Sequence, residues 1–239
     1  MKNILFINHS IRDGGPGRSL YYLLKHFDYE NFNVNVLIPD KKVFSDRIEN
    51  DNLNINQIVN SNFPENLKRQ NFKINGKMIS ILPVDILINI FRLIYLLFTL
   101  KKQIKENKID LIYCNGTLAK FFGAILGLVY KVQVVWHVRN YQKNFILHFL
   151  INLFSKFSCI SKIICVSKST MSQFKNKSKC MVINNGVDTN EFNPTYVDKK
   201  LRKEFNIDND KIIIGTAGRV VPRKNFKHFI SLGIEVCKK

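Results

Sequence analysis

Residues 4–7, Ile-Leu-Phe-Ile, form a short apolar run that reads as a buried strand, and they lead at once into a polar, glycine-rich turn. That turn holds Asn8, His9, Ser10, Ile11, Arg12, Asp13, Gly14, Gly15, Pro16, Gly17, Arg18 and Ser19, and Leu20, Leu23, Leu24 and Phe27 follow at helical spacing. Strand, glycine loop and helix in that order open a Rossmann-like unit, which commits the chain to an α/β fold with a parallel sheet flanked by helices. Pro16 suits the first turn of a helix, and the glycines leave backbone N–H groups open to an anion at the positive helix end. The spacing is not G-x-G-x-x-G, and the Lys of G-x-x-x-x-G-K-[ST] is missing, so dinucleotide binding and a P-loop are both unsupported.

The same alternation continues. Strands are expected at 33–38 and 55–59, and residues 61–76, with Pro64, Asn66, Asn71 and Asn75, read as a polar loop or excursion. Residues 79–100 are apolar enough to suggest a membrane span, which needs roughly 20 apolar residues. Asp85, Asn89, Arg92, Tyr95 and Thr99 nevertheless recur every three to four positions, and the stripe continues into Lys102 and Glu106. A helix with one polar stripe, started at Pro83, packs on a sheet or lies in a membrane interface and does not cross. A strand ending at Asn115, a helix over 117–130 with small residues that permit close packing, and a strand over 132–136 complete this stretch. A second apolar helix over 144–157, a strand over 160–166, a short helix capped by Ser167 and a strand over 180–183 follow.

A formal charge of +19 and a pI near 9.8 imply an acidic partner: a phosphorylated small molecule, an anionic membrane surface or nucleic acid. No RNP, helix-turn-helix or zinc pattern is present, which leaves a basic nucleic-acid-binding protein as the lesser alternative and no nucleic acid as the expectation. The five cysteines, Cys114, Cys159, Cys165, Cys180 and Cys237, sit mostly in apolar surroundings without a C-x-x-C pair and read as reduced core residues of a cytoplasmic protein. The apolar run at the start is too short for a secretory signal.

Two places carry chemistry. At 136–140 a strand exits through Trp136, His137, Val138, Arg139 and Asn140, and ligands bind at the carboxyl ends of strands in open α/β sheets. His9, His26, His148 and His228 have no such context and read as structural. Further on, an apolar run at 212–214 reads as the strand that opens a second domain, followed by Gly215, Gly218, Arg219, Pro222, Arg223 and Lys224 and a helical pattern from 226 to 239. Arg219 offers a planar fork of donors and Lys224 a point charge, a pair suited to a departing diphosphate.

The run Gly-Arg-Val-Val-Pro-Arg-Lys-Asn at 218–225 resembles the G-R-x-x-x-x-K-[GN] segment of glycosyltransferase family 4. Asn185-Gly186-Val187-Asp188, continuing through Phe192 to Pro194, resembles the family's interdomain segment, and His137 matches the histidine that ends a strand in its acceptor domain. The resemblance implies a GT-B fold: a Rossmann-like acceptor-side domain over 1–194, a linker over 195–210, and the first strand and helix of a truncated donor-binding domain over 211–239. It also implies a retaining enzyme that moves a sugar from a nucleotide-diphosphate sugar to a glycan or lipid-linked acceptor in surface polysaccharide or glycoconjugate synthesis. No cofactor and no metal would be required.

By the same resemblance His137, Arg219 and Lys224 are the catalytic candidates. Gly14, Gly15, Gly218, Arg219 and Lys224 would bind the donor, and Arg18 and Arg139 would be weaker acceptor contacts. The family's E-x7-E segment is absent from the sequence. The expectation is therefore a chain incomplete for catalysis, or a noncatalytic membrane-docking half completed by another chain, peripheral at the inner face of a membrane.

Overall fold

The computed structural model describes residues 1–9, 14–63, 71–74, 77–80, 82–190, 192–193, 200–218 and 220–236. It divides into two compact units, Met1–Gly186 and Val187–Lys239.

The first unit is built on a seven-stranded parallel sheet in the order β3-β2-β1-β6-β7-β8-β9. Its strands are β1 (Lys2–Asn8), β2 (Phe32–Ile38), β3 (Ile55–Val59), β6 (Leu111–Asn115), β7 (Gln133–Val138), β8 (Ile160–Cys165) and β9 (Cys180–Val182). Strand order reverses between β1 and β6, which makes that pair the switch point of the sheet. Alternate residues of β1 go to opposite faces, as a strand requires. Ile4 and Phe6 join Leu20 and Leu24 of α1 (Gly15–Lys25) and Phe44 and Ile48 of α2 (Val43–Asn50). Leu5 and Ile7 join the core beneath α3 (Leu82–Glu106), α4 (Thr117–Tyr130) and α5 (Phe145–Phe154).

Small residues set how closely α4 lies on the sheet. A side chain at Gly123 would collide with the Cys114 sulfur, and one at Gly127 would collide with Val134. Beside it, α3 inserts Leu96, Leu100 and Ile104, one per turn, into the core. Each such burial is worth about 1.5–3 kcal/mol. The polar stripe of α3 is used sideways: Thr99 Oγ1 accepts from Asn60 Nδ2 at 3.2 Å and donates to the Leu96 carbonyl at 3.1 Å. The outer face is apolar, with Leu87, Ile90, Phe91, Ile94 and Phe98 all exposed. No helix among the described residues is long and apolar enough to cross a membrane.

Three elements differ from the sequence expectation. The 61–76 excursion contains a strand, β4 (Asn71–Ile74), which pairs antiparallel with β5 (Lys77–Ser80); two-residue spacing between short β-prone runs closes a hairpin despite the polar composition. Helix α2 is short and largely polar, so its periodicity is hard to see; Phe44, Ile48 and the buried Ser45, bonded to Gln57, anchor it.

The third is the expected strand at 211–214. In the second unit residues 212–217 carry no strand, and Ile212 and Ile214 are 88% and 73% exposed. A parallel strand exists only through its neighbours' ladder, and no other strand lies in that unit among its described residues. The last helix of the first unit is α6 (Lys168–Met171); the second unit holds α7 (Lys200–Glu204), within the stretch expected to be a linker, a 3₁₀ turn at Pro222–Lys224, and α8 (Phe226–Val236). Cys114, Cys159 and Cys165 are buried free thiols and Cys180 is half-buried, while Cys237 lies outside the described residues.

Candidate active site

Strand register places Asn8, Asn115 and His137 side by side across β1, β6 and β7, at the carboxyl edge of the switch point. Asn8 and Asn115 are fully buried, which a polar amide tolerates only when bonded. Asn115 Nδ2 donates to Asn8 Oδ1 at 3.2 Å and to the Pro16 carbonyl at 3.0 Å, so it ties the glycine loop to the sheet edge.

Arg139 completes the row from beyond the end of β7. Its Nε donates to Asn115 Oδ1 at 3.1 Å, its Nη1 to Asn185 Oδ1 at 3.4 Å, and its Nη2 contacts His137 Nδ1 at 3.2 Å. Tyr113 Oη lies 2.6 Å from the same His137 nitrogen. Burial, then the Arg139 and Lys120 charges, push the His137 pKa down to about 3, and burial pushes the Tyr113 phenol up to about 12. Lys120, in the first turns of α4 and only 1% exposed, is lowered to about 8 by burial. Among the described residues no carboxylate lies among these partners, and the charged groups here are Arg139 and Lys120.

At the loop, Gly14 caps α1 with extended backbone and Pro16 occupies the first turn. A Cβ at Gly15 would meet nothing within 4 Å, and one at Gly14 only Pro16, so among the described residues the space beside both is open. Arg18 is exposed one turn into α1. His9 packs its ring against Gly116, whose φ of +116° and lack of a side chain both accommodate it. In the second unit the stem of Lys224 passes over Gly218, with Cε 3.7 Å from where a Cβ would stand, and Gly218 has φ +151°. The 3₁₀ turn over Pro222–Lys224 ends at Asn225 in the left-handed region. Arg219 lies outside the described residues.

Thus His137 and Arg139 meet directly and Gly14 is linked to them through Pro16 and Asn115, while Gly218 and Lys224 meet in their own unit. Asn8, Tyr113, Asn115 and Lys120 escaped the sequence reading. The rule that singled out His137, a polar residue closing an apolar strand, applies equally to Asn8 and Asn115. Ser167 is a cap, with a capping box to Thr170. Among the described residues no group of three or more His, Cys, Asp or Glu is arranged to hold a metal ion.

The family model for Glycosyltransferase Family 4 matches residues 13–191. The chain belongs to glycosyltransferase family 4. Its fold is similar to that of Anabaena Alr3699/HepE in complex with UDP-glucose, with a TM-score of 0.59 at 19% identity over 87% of this chain and 51% of that one. A glycosyltransferase from Rickettsia africae matches at TM-score 0.58 and 12% identity, covering 87% of this chain and 50% of that one. The sucrose-phosphate synthase of Thermosynechococcus elongatus matches at 0.57 and 13%, covering 88% and 54%. No curated protein matches. This family-4 chain therefore spans about half the length of the solved structures it resembles, and the matched part is an α/β unit of GT-B type.

Proposed function

We propose that the chain supplies the acceptor-side half, and the diphosphate-contacting turn, of a retaining glycosyltransferase that uses a nucleotide-diphosphate sugar. The observation that carries this is the hydrogen-bonded row Asn115–His137–Arg139 at the switch point, with the Arg139 guanidinium as its charge, joined through Pro16 to the glycine loop. In this reading the backbone at Gly14 and Gly15 approaches the donor phosphates, and His137 faces the transferred sugar. Arg139 and Arg18 serve the acceptor; Arg139 keeps two of its five N–H groups beyond the three bonds described. Arg219 and Lys224, with the Gly218 backbone, would stabilise the departing diphosphate by their charge, and no metal is called for. The leaving phosphate itself helps take the acceptor proton. The acceptor is a glycan or lipid-linked glycan, and the product enters a surface polysaccharide or glycoconjugate.

Calorimetric titration of the chain with UDP-, GDP- and dTDP-sugars tests it, beside an Arg219→Ala, Lys224→Ala double variant. Binding that the variant loses is the expected result. Equal binding by both chains would overturn the assigned roles, and no binding by the wild type would move the donor site off this chain.

A second reading concerns where it works. Among the described residues the outer faces of α3 and α5 are apolar and exposed: Phe91 and Phe98 are 68% and 72% exposed, Phe145 and Phe149 are 83% and 58%. Tyr130 of α4 bonds the Leu97 carbonyl and Phe121 stacks on Phe154, so α4 bridges α3 and α5 in one layer. Exposed Lys101, Lys102, Lys105, Lys131, Lys143 and Lys156 border it. Apolar burial and cationic attraction add at an anionic lipid surface, which would seat the protein peripherally at the inner face of a membrane. Co-sedimentation with phosphatidylglycerol vesicles, abolished by Phe91→Asp with Phe149→Asp, is expected; binding that ignores both the substitutions and the lipid charge would contradict it.

A further inference from the structure

We propose that Tyr113 and Arg139 lock His137 as the neutral tautomer protonated on Nε2, so that it serves the reaction as a hydrogen-bond donor and not as a proton shuttle. The role toward substrate rests on the transferase reading above; the lock itself does not.

The argument is one of donor and acceptor count. A guanidinium has five N–H groups and no acceptor, so the 3.2 Å contact from Arg139 Nη2 requires a lone pair on His137 Nδ1. Tyr113 Oη, 2.6 Å from the same atom, must then donate to it, since a nitrogen that accepts from Arg139 has no proton of its own to give. An Nδ1 that receives two donors carries no proton of its own, and the one proton of a neutral imidazole is then on Nε2. The doubly protonated ring is excluded by the same two bonds and by the surrounding charge.

Among the described residues the groups that act on the ring are Arg139 from the end of β7, Tyr113 from β6 and, through its charge, Lys120 from α4, and none is a carboxylate. Tyr113 also stands edge-on to the ring, at 5.8 Å between centroids and 82° between planes, which fixes the ring's orientation.

This is the reverse of the arrangement that makes histidine a base. There a carboxylate accepts from Nδ1–H, orients the ring and stabilises the imidazolium that forms. Here a guanidinium and a phenol stand where that carboxylate would be, and Nε2 has no lone pair to take a proton. Nε2–H remains, a directed donor for a hydroxyl or glycosidic oxygen of a sugar. Tyr113 and Arg139 are positioning residues in this scheme, acting through the ring.

Imidazole ¹⁵N NMR on the whole 239-residue chain tests the lock, with His137→Gln to assign its signals. The expected spectrum has an unprotonated Nδ1, a protonated Nε2 and no titration between about pH 5 and 8. Arg139→Met and Tyr113→Phe, each checked for an intact fold by the amide spectrum, should bring that titration toward the ordinary histidine range. A proton on Nδ1 in the wild type, or ordinary titration there, would overturn the proposal. Where transfer is measurable, His137→Gln, which keeps an N–H donor, should stay within about tenfold of wild type in kcat while His137→Ala falls about a hundredfold. Equal losses in the two variants would refute the donor role and leave the lock to be judged by the spectrum; inactivity of the wild type would count against the transferase reading alone.

Discussion

The two edges of the sheet are made from similar polar residues and arranged for opposite ends. At the amino edge Asn3, Asn33, Asn35, Asn54, Asn56 and Asn107 line a depression of about 380 Å³. There Asn33 donates to Asn3 at 2.8 Å and Asn56 to Asn35 at 2.7 Å, so the amides largely satisfy one another. At the carboxyl edge Asn115 is spent on holding Arg139 and the glycine loop, and the ionisable groups His137, Tyr113 and Lys120 are all pushed toward their neutral forms by burial. A hollow with satisfied walls is structural, whereas displaced pKa values beside an open loop mark a place prepared for a ligand. The hollow is therefore not the candidate site.

The largest effect should come from cutting the carboxyl edge. Arg139→Met is expected to lower transfer by at least about a hundredfold, on the scale of losing one preorganised donor group. Asn56→Ala at the other edge should leave transfer within about twofold, and a comparable loss there would break the contrast.

Next comes Lys120. Its folded pKa of about 8 lies below the ordinary 10.5, so below pH 8 the fold bears the cost of a buried charge. Lys120→Met should therefore stabilise the protein by on the order of 2–3 kcal/mol at neutral pH. The advantage should shrink between pH 8 and 10.5, where the wild-type lysine is neutral when folded but still protonated when unfolded. Denaturant titrations at several pH values measure it.

His137 gives the third effect. Its folded pKa of about 3 is below the ordinary 6.5, so the stability tied to the neutral ring is complete above pH 6.5 and lost as pH falls toward 3. The slope should be at most about 1.4 kcal/mol per pH unit and should flatten in His137→Gln. The smallest effect belongs to the amino edge: Asn56→Ala should cost about 1 kcal/mol of stability, one hydrogen bond's worth.

Much of this was legible in the chain, for definite reasons. Buried parallel strands are rich in apolar and β-branched residues, so 4–7, 33–38 and 160–166 stand out, and Pro83 and Asn144 mark where α3 and α5 begin. The 211–214 run misled because local pattern reports β-propensity but not whether a neighbouring strand exists. Likewise Asn8, Tyr113, Asn115 and Lys120 are ordinary letters in sequence. They become a site only when register sets β1, β6 and β7 side by side, a contact between residues more than a hundred positions apart. The polar stripe of α3 was visible in the sequence, but that Thr99 turns toward Asn60 and leaves phenylalanines outside depends on which face the sheet takes.

The measurement that tests the contrast between edges most directly is amide chemical-shift mapping of the chain under saturating UDP-, GDP- and dTDP-sugars. Shifts at Gly14, Asn115, His137 and Arg139, with Asn33 and Asn56 unmoved, are the predicted result. Shifts confined to the amino-edge asparagines, or none at the carboxyl edge with every donor, would contradict it.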